Sequence, residues 1–368
     1  MLITYMETEP PHNQQPRQLT FEEILTGNIL PATHNFKPHP RTINVPTENI
    51  TDTAMTQLVN KLSVFYAKAL PIANAYQEID MRTMYTHFTI PKASGGERPI
   101  DAPNPQLKQN LTELRLQLSS MGILAHTAAY AYVPGRCAKD AVERHQRTEH
   151  KYYLKLDLHN FFGSCSENFI KHQLNQIYYF AQLPSLIIDK ILHMAMLNGS
   201  LPQGSPLSPW LTNQIMLPFD FELTNWCRQH NITYTRYADD MLFSANFDPK
   251  TLVEAKVTKL LRDTPLTLNT DKTHLTTING RNWNLGIMTN KENNMTIGYK
   301  KKEIARAMLV EFCKNKDTWN AQQAQELLGN FAYFTSIEPE YFQNLLTKYS
   351  NKFNVDISTE LKRISKTR

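Results

Sequence analysis

The apolar positions change period several times along this chain, and each change marks an element. Between residues 49 and about 76, Leu58, Leu62, Phe65, Tyr66 and Leu70 recur at helical spacing, and Pro71 is expected to end or bend that helix. His87-Phe-Thr-Ile90, the glycine-rich Ala93-Ser-Gly-Gly-Glu97 and Arg98-Pro-Ile100 together predict a hairpin with a basic residue on each arm, Lys92 and Arg98. A helix is predicted over 105–123. Tyr152 to Leu158 alternates, with Tyr152, Leu154, Leu156 and Leu158 on one face and Tyr153, Lys155 and Asp157 on the other. That pattern predicts a half-buried strand with Asp157 on its open side. Helical stretches follow over 166–197 and 207–230. Ile232-Thr-Tyr-Thr-Arg-Tyr237 and Met241-Leu-Phe-Ser-Ala245 are rich in strand-forming residues and bracket Ala238-Asp239-Asp240, so a hairpin carries two carboxylates at its tip. A helix over about 249–262 and two or three short strands to about 299 come next. Helices over 302–314, 318–334 and 339–350 close the pattern, with Pro339 in the first turn of the last.

Residues 1–45 are rich in Pro, His, Asn, Gln and Thr and read as a peripheral arm, with a short helix hinted at Phe21-Glu-Glu-Ile-Leu25. No internal repeat is visible. At 368 residues, 41% of them hydrophobic, the chain can bury a core divided among two or three subdomains. No apolar run nears the roughly 20 residues of a membrane span, and the N-terminus does not read as a secretory signal, so the expected location is cytoplasmic. Cys137, Cys165, Cys227 and Cys313 are scattered, without a C-x-x-C pair, which argues against a zinc site. A net charge of +5 permits a nucleic-acid partner without requiring one. Lys300, Lys301 and Lys302 with Arg306 form one basic cluster, and Arg136, Lys139, Arg144 and Arg147 another. Each suits a nucleic acid or a solvated face equally.

Adjacent carboxylates repel, so Asp239 and Asp240 are costly together unless a cation lies between them, although Asp is also an ordinary turn residue. The order of segments changes that balance. Leu156-Asp157-Leu158-His-Asn-Phe161-Phe162 precedes Leu201-Pro-Gln-Gly-Ser-Pro-Leu-Ser-Pro209, then come Tyr237-Ala-Asp-Asp240, Asn269-Thr-Asp-Lys272-Thr and Trp283-Asn-Leu-Gly286. In that order they resemble the palm motifs of reverse transcriptases, over about residues 85–300.

The resemblance implies an α+β right-hand polymerase with an antiparallel palm sheet: an arm to residue 45, fingers over 46–150, palm over 151–290 and a helical thumb over 291–368. It implies RNA-directed DNA synthesis with two Mg2+ ions, Mn2+ being able to substitute. Asp157 and Asp239 would bridge the ions, with the Leu158 carbonyl as a further ligand and Asp240 in support. Two ions about 3.5–4 Å apart suit in-line phosphoryl transfer, because charge builds on both attacking and leaving oxygens. Lys92 and Arg98 would hold the triphosphate, and Gln203 and Gly204 would lie near sugar and base. Phe162 would exclude a 2′-hydroxyl, Phe161 being its buried neighbour. Lys272 would serve the departing pyrophosphate, and Trp283, Leu285 and Gly286 would form a primer grip. RNA would lie along Lys300, Lys301, Lys302 and Arg306.

The implied partners are an RNA template, expected to be a cognate non-coding RNA, deoxynucleoside triphosphates and the DNA product, with an accessory defence protein as an optional addition and no membrane. Ala238 and Gln203-Gly-Ser-Pro-Leu-Ser-Pro209 resemble the bacterial group of retrons, group II introns and phage-defence enzymes. Asp140-Ala-Val-Glu-Arg-His145 and Asn284-Leu-Gly-Ile depart from the retron pattern of Asn-Ala-x-x-His and Val-Thr-Gly. The stretch from Leu285 to Gly298 looks more like abortive-infection and defence-associated enzymes, so antiphage defence is the expected role, with a retron as runner-up. A polymerase-shaped RNA-binding scaffold without activity is the other class.

Overall fold

The computed structural model describes residues 2–5, 17–20, 52–91, 95–121, 124–147, 149–181 and 183–366. Lys92 and the helix hinted at 21–25 lie outside them. Within the arm, β1 (Leu2–Tyr5) pairs antiparallel with β2 (Arg17–Thr20). The chain divides into two compact units. The first comprises Met1–Cys137, Leu154–Phe243 and Asp248–His274, and the second Ala138–Tyr153, Ser244–Phe247 and Leu275–Arg368.

In the first unit the helix Asp52–Asn74 contains Pro71 and continues beyond it. Pro71 therefore does not end the helix: so near the C-terminus, its carbonyl still accepts from the Ala75 N–H at 3.1 Å. The predicted hairpin is β3 (Tyr85–Pro91) on β4 (Glu97–Pro103), in a register that sets Ile90 opposite Arg98. The helix Pro105–Ser120 starts on Asn104, whose side chain caps the Leu107 N–H, and buries Leu107, Leu111, Leu114 and Leu118 at i, i+4, i+7 and i+11.

A four-stranded sheet in the order β6-β7-β5-β8 follows, from β5 (Tyr152–Asp157), β6 (Thr233–Tyr237), β7 (Asp240–Ala245) and β8 (His274–Thr277). A two-residue turn, Ala238-Asp239, joins β6 to β7. The long helical stretches resolve into Glu167–Asn175, Tyr178–Ala181 and Ser185–Ala195, then Ser208–Ile215 and Leu217–Gln229. Strand β5 is not half-buried: Tyr153 and Asp157 are each 4% exposed. A strand covered on both faces hides its nominally polar side as well.

The second unit contains β9 (Asn282–Asn284), β10 (Ile287–Thr289) and β11 (Met295–Thr296), ordered β11-β10-β9. Helices Tyr299–Asn315, Ala321–Ile337 and Pro339–Phe353 match the predicted tail. A further helix, Ile357–Ile364, was not predicted from periodicity, although Asp356 caps it and Ile357, Leu361 and Ile364 mark its buried face. The Phe342 ring lies 5.6 Å from Phe331 and 5.4 Å from Phe334, giving this helical unit an aromatic centre.

Candidate active site

Strand β5 ends in Asp157, and the next residue ties it to the β6–β7 turn, because the Leu158 N–H donates to the Asp239 carbonyl at 3.1 Å. The Asp157 carbonyl accepts from the Asn269 N–H at 2.8 Å, bringing up the 3-10 turn Thr270–Lys272. From that turn Lys272 Nζ reaches both carboxylate oxygens of Asp157, each at 3.0 Å. Lys155 Nζ lies 2.8 Å from Asp240. The acid that ends β5 and the two at the β6–β7 turn thus converge, and two of the three are paired with lysines.

Their electrostatics reflect the crowding. Burial, and then the charge of Asp157, push the Asp239 carboxyl above its ordinary value, with its own backbone N–H and the lysines opposing. Burial likewise raises Asp240, against the pull of Lys155. Lys272 is held more firmly protonated, chiefly by its hydrogen bond to Asp157.

A buried ion pair fixes the turn from below. Arg236 and Asp220 are both fully buried, with Nη2 to Oδ2 at 2.6 Å and Nε to Oδ1 at 2.9 Å. Tyr234 donates its hydroxyl to the same carboxylate at 2.8 Å. Arg236 Nη1 donates to the Ala238 carbonyl at 3.1 Å, where the backbone takes a positive φ of 59°. The guanidinium therefore holds in place the bend that presents Asp239.

The Gln203-Gly204 loop is seated on the hairpin strand β4. The Gln203 carbonyl accepts from the Asp101 N–H at 2.8 Å, and a Cβ on Gly204 would lie 2.5 Å from the Asp101 carbonyl oxygen. Only glycine fits that approach, at φ 135°. Arg98 is exposed on β4. Phe161 is buried and Phe162 half-exposed, their rings edge-on at 5.7 Å.

The family model described as "Reverse transcriptase (RNA-dependent DNA polymerase)" matches residues 90–323. The chain belongs to the reverse transcriptase family. Its relatives place it with the retron-type bacterial enzymes. Retron Ec83 reverse transcriptase of Escherichia coli is 29% identical over 295 residues, covering 76% of this chain and 93% of the relative. Retron Mx65 reverse transcriptase of Myxococcus xanthus is 31% identical over 71% of this chain and 63% of its own length, and retron Ec73 reverse transcriptase of Escherichia coli 28% identical over 71% and 86%. These matches weigh more than the two short departures from the retron pattern. A solved telomerase from Candida tropicalis aligns at a TM-score of 0.44 and 14% identity, covering 84% of this chain and 63% of the other, too slight a likeness to bear on the fold.

In this reverse transcriptase, Asp157, Leu158, Phe162, Gln203, Gly204, Asp239, Asp240, Lys272 and Arg98 all belong to the first unit. The remaining expected site residues, Lys92 apart, belong to the second. There Leu285 and Gly286 turn β9 into β10 with φ of 52° and 77°, and Lys301 Nζ donates to the Gly286 carbonyl at 2.8 Å. Trp283 is 41% exposed, and its ring fills the space where a Cβ on Gly298 would stand. Lys300 is exposed, while Lys302 pairs with Glu338 and sits 4.4 Å from the Tyr341 ring centre. Arg136, from the other basic cluster, donates to the carbonyls of His126 and Ala129 at 2.8 and 2.7 Å. It is a strut as much as a surface charge.

Sequence reasoning passed over Arg236, Asp220, Asn213 and Lys155. A signal existed for the first two: Arg236 shares a strand face with Tyr234, and Asp220 falls among Leu217, Phe221 and Leu223 on a helix. A charge at an inward position demands a buried partner.

Proposed function

We propose that the chain is a retron reverse transcriptase, copying a cognate RNA into DNA with two divalent ions as part of antiphage defence. The convergence of Asp157, Asp239 and Asp240, in a chain whose relatives carry the retron name, supports this reading most strongly. Under it residues 46–150 supply the fingers of a right hand, 151–290 its palm and 291–368 its helical thumb.

The donor set fits Mg2+: all oxygen and partly buried, with burial raising the carboxyls of Asp239 and Asp240. Among the described residues no three acidic, histidine or cysteine side chains close a cage, and magnesium needs only one or two carboxylates. Asp157 and Asp239 would hold the ions, with the Leu158 carbonyl and Asp240 alongside. When bound, such ions stabilise charge on the attacking and leaving oxygens. The protein's own groups do the rest. Arg98, with Lys92, presents guanidinium and ammonium groups to phosphates. Gly204 lets backbone approach the nucleotide, beside Gln203, and Phe162 crowds the position of a 2′-hydroxyl. Lys272, kept protonated beside Asp157, is a proton source for the leaving group.

Purified protein with a primed RNA template, deoxynucleotides and Mg2+ should extend the primer, and chelation should stop it. Sequencing the copurifying nucleic acid should reveal DNA covalently joined to one RNA species. Protein that binds RNA but adds no nucleotide would favour the inactive scaffold instead. Extension without a linked RNA–DNA product would favour a non-retron defence enzyme.

A further inference from the structure

Among the described non-glycine residues with positive φ, Asn160, Asn198, Asn231, Asn293 and Asn354 are asparagines, which tolerate that conformation. The others are Tyr132 at 61°, Ala238 at 59° and Leu285 at 52°. Ala238 bends the carboxylate hairpin and Leu285 the turn assigned to primer binding. Bulky residues are rare in this region, and such strain persists where surroundings enforce it and function uses it. Tyr132 belongs to no motif above.

Its surroundings do enforce it. Arg236 N–H donates to the Ala128 carbonyl at 2.6 Å, and the Tyr130 N–H donates to the Arg236 carbonyl at 2.8 Å, fastening the approach to Tyr132 along β6. Asn213 Nδ2 donates to the Ala131 carbonyl at 2.8 Å, while its Oδ1 accepts from Arg236 Nη2 at 3.2 Å. The same guanidinium therefore fixes both the Asp239 bend and the backbone one residue before Tyr132. Held this way, the Tyr132 side chain stays 51% exposed, although an aromatic ring ordinarily seeks cover. Its phenol is raised by burial of the hydroxyl end, then by Asp239 and Tyr237, with Arg98 opposing. Asp239 and Arg98 therefore both lie near enough to act on its charge.

We propose that Tyr132 is a binding contact for the incoming deoxynucleoside triphosphate, offering its ring face to the base. This rests on the polymerase reading of Asp157, Asp239 and Asp240. A nucleotide with phosphates toward Arg98 and reacting phosphorus toward Asp239 passes the tyrosine, and an exposed aromatic face packs any base.

The test compares Tyr132→Gly and Tyr132→Phe with the parent in single-nucleotide extension of a defined primer on RNA. Glycine accepts positive φ without strain, so the melting temperature of Tyr132→Gly should be no lower than the parent's. Its KM for the nucleotide should rise by about fivefold or more, the lower end of what stacking one base is worth, with kcat falling far less. Tyr132→Phe keeps the ring and should raise KM less than glycine does. A Tyr132→Gly protein with unchanged KM overturns the proposal, and so does one whose loss lies in melting temperature and kcat alone. A parent that extends no primer overturns the polymerase reading and this inference with it. A parent that extends, with variants that match it, overturns the inference alone.

Discussion

At the scale of single residues, charge crowding is the governing feature of the site. Replacing Asp239 and Asp240 by Ala should lower nucleotide addition by about a thousandfold or more, as loss of several kcal/mol of transition-state stabilisation implies. The fold should survive, because the folded state raises both carboxyl pKa values above the ordinary 3.8. A carboxyl raised on folding binds its proton more tightly in the native state, so native stability falls as pH rises through that window. In chelator at pH 7 the double variant should therefore melt no lower than the parent, and any gain should vanish below about pH 4, where both states are protonated. Calorimetry across pH checks this. Phe162 presents a second single-residue effect. Phe162→Ala should cut discrimination against ribonucleotides by about tenfold or more, the loss being steric. Unchanged discrimination in a competition assay would move the gate to another side chain.

Elements carry their own predictions. Glu338, at the start of the helix Pro339–Phe353, accepts from Thr296 Oγ1 and the Ile297 N–H, each at 2.8 Å, and pairs with Lys302. It ties β11 to two helices of the second unit. Glu338→Ala should cost about 1–3 kcal/mol by stranding those donors, read as a lower denaturant midpoint. Lys302→Ala should destabilise in the same direction, whereas Lys300→Ala should not. Ser244 on β7 offers another contrast. Its hydroxyl lies 2.8 Å from His145 Nδ1 and 2.7 Å from His150 Nδ1, and burial lowers both imidazoles, His145 to about 3. A histidine lowered on folding binds fewer protons in the native state, so its stability contribution is complete above the ordinary 6.5 and lost as pH falls toward 3. The loss approaches about 1.4 kcal/mol per pH unit for one such group, and His145→Gln should flatten the fall in melting temperature between pH 6 and 4.

For the whole molecule, nucleic-acid binding should divide between free and engaged basic residues. Neutralising Lys300 should reduce the slope of log affinity against log salt by roughly 0.7–0.9, alike for unrelated RNAs. Equal slopes for parent and variant would mark Lys300 as a solvated face. Lys302 is unsuited to that experiment because its loss disturbs the Glu338 cluster. Much of the architecture was legible from pattern alone. The β3–β4 and β6–β7 hairpins, the helix Pro105–Ser120 and the tail helices follow from period, turn residues and caps, which act over a few neighbours. The motif order pointed to the family by resemblance, because a fold's topology fixes the order in which the chain visits the site. What remained hidden depends on distant partners. That Pro71 lies within a helix, that Asp157 is covered, and that Lys272 and Lys155 neutralise the acids were set by tertiary contacts. So was the Arg236–Asp220 pair, which holds Ala238 and the approach to Tyr132. Sequence determined which groups can do the chemistry. Only the folded chain decided which of them meet, since burial and pairing are properties of neighbours far apart in sequence.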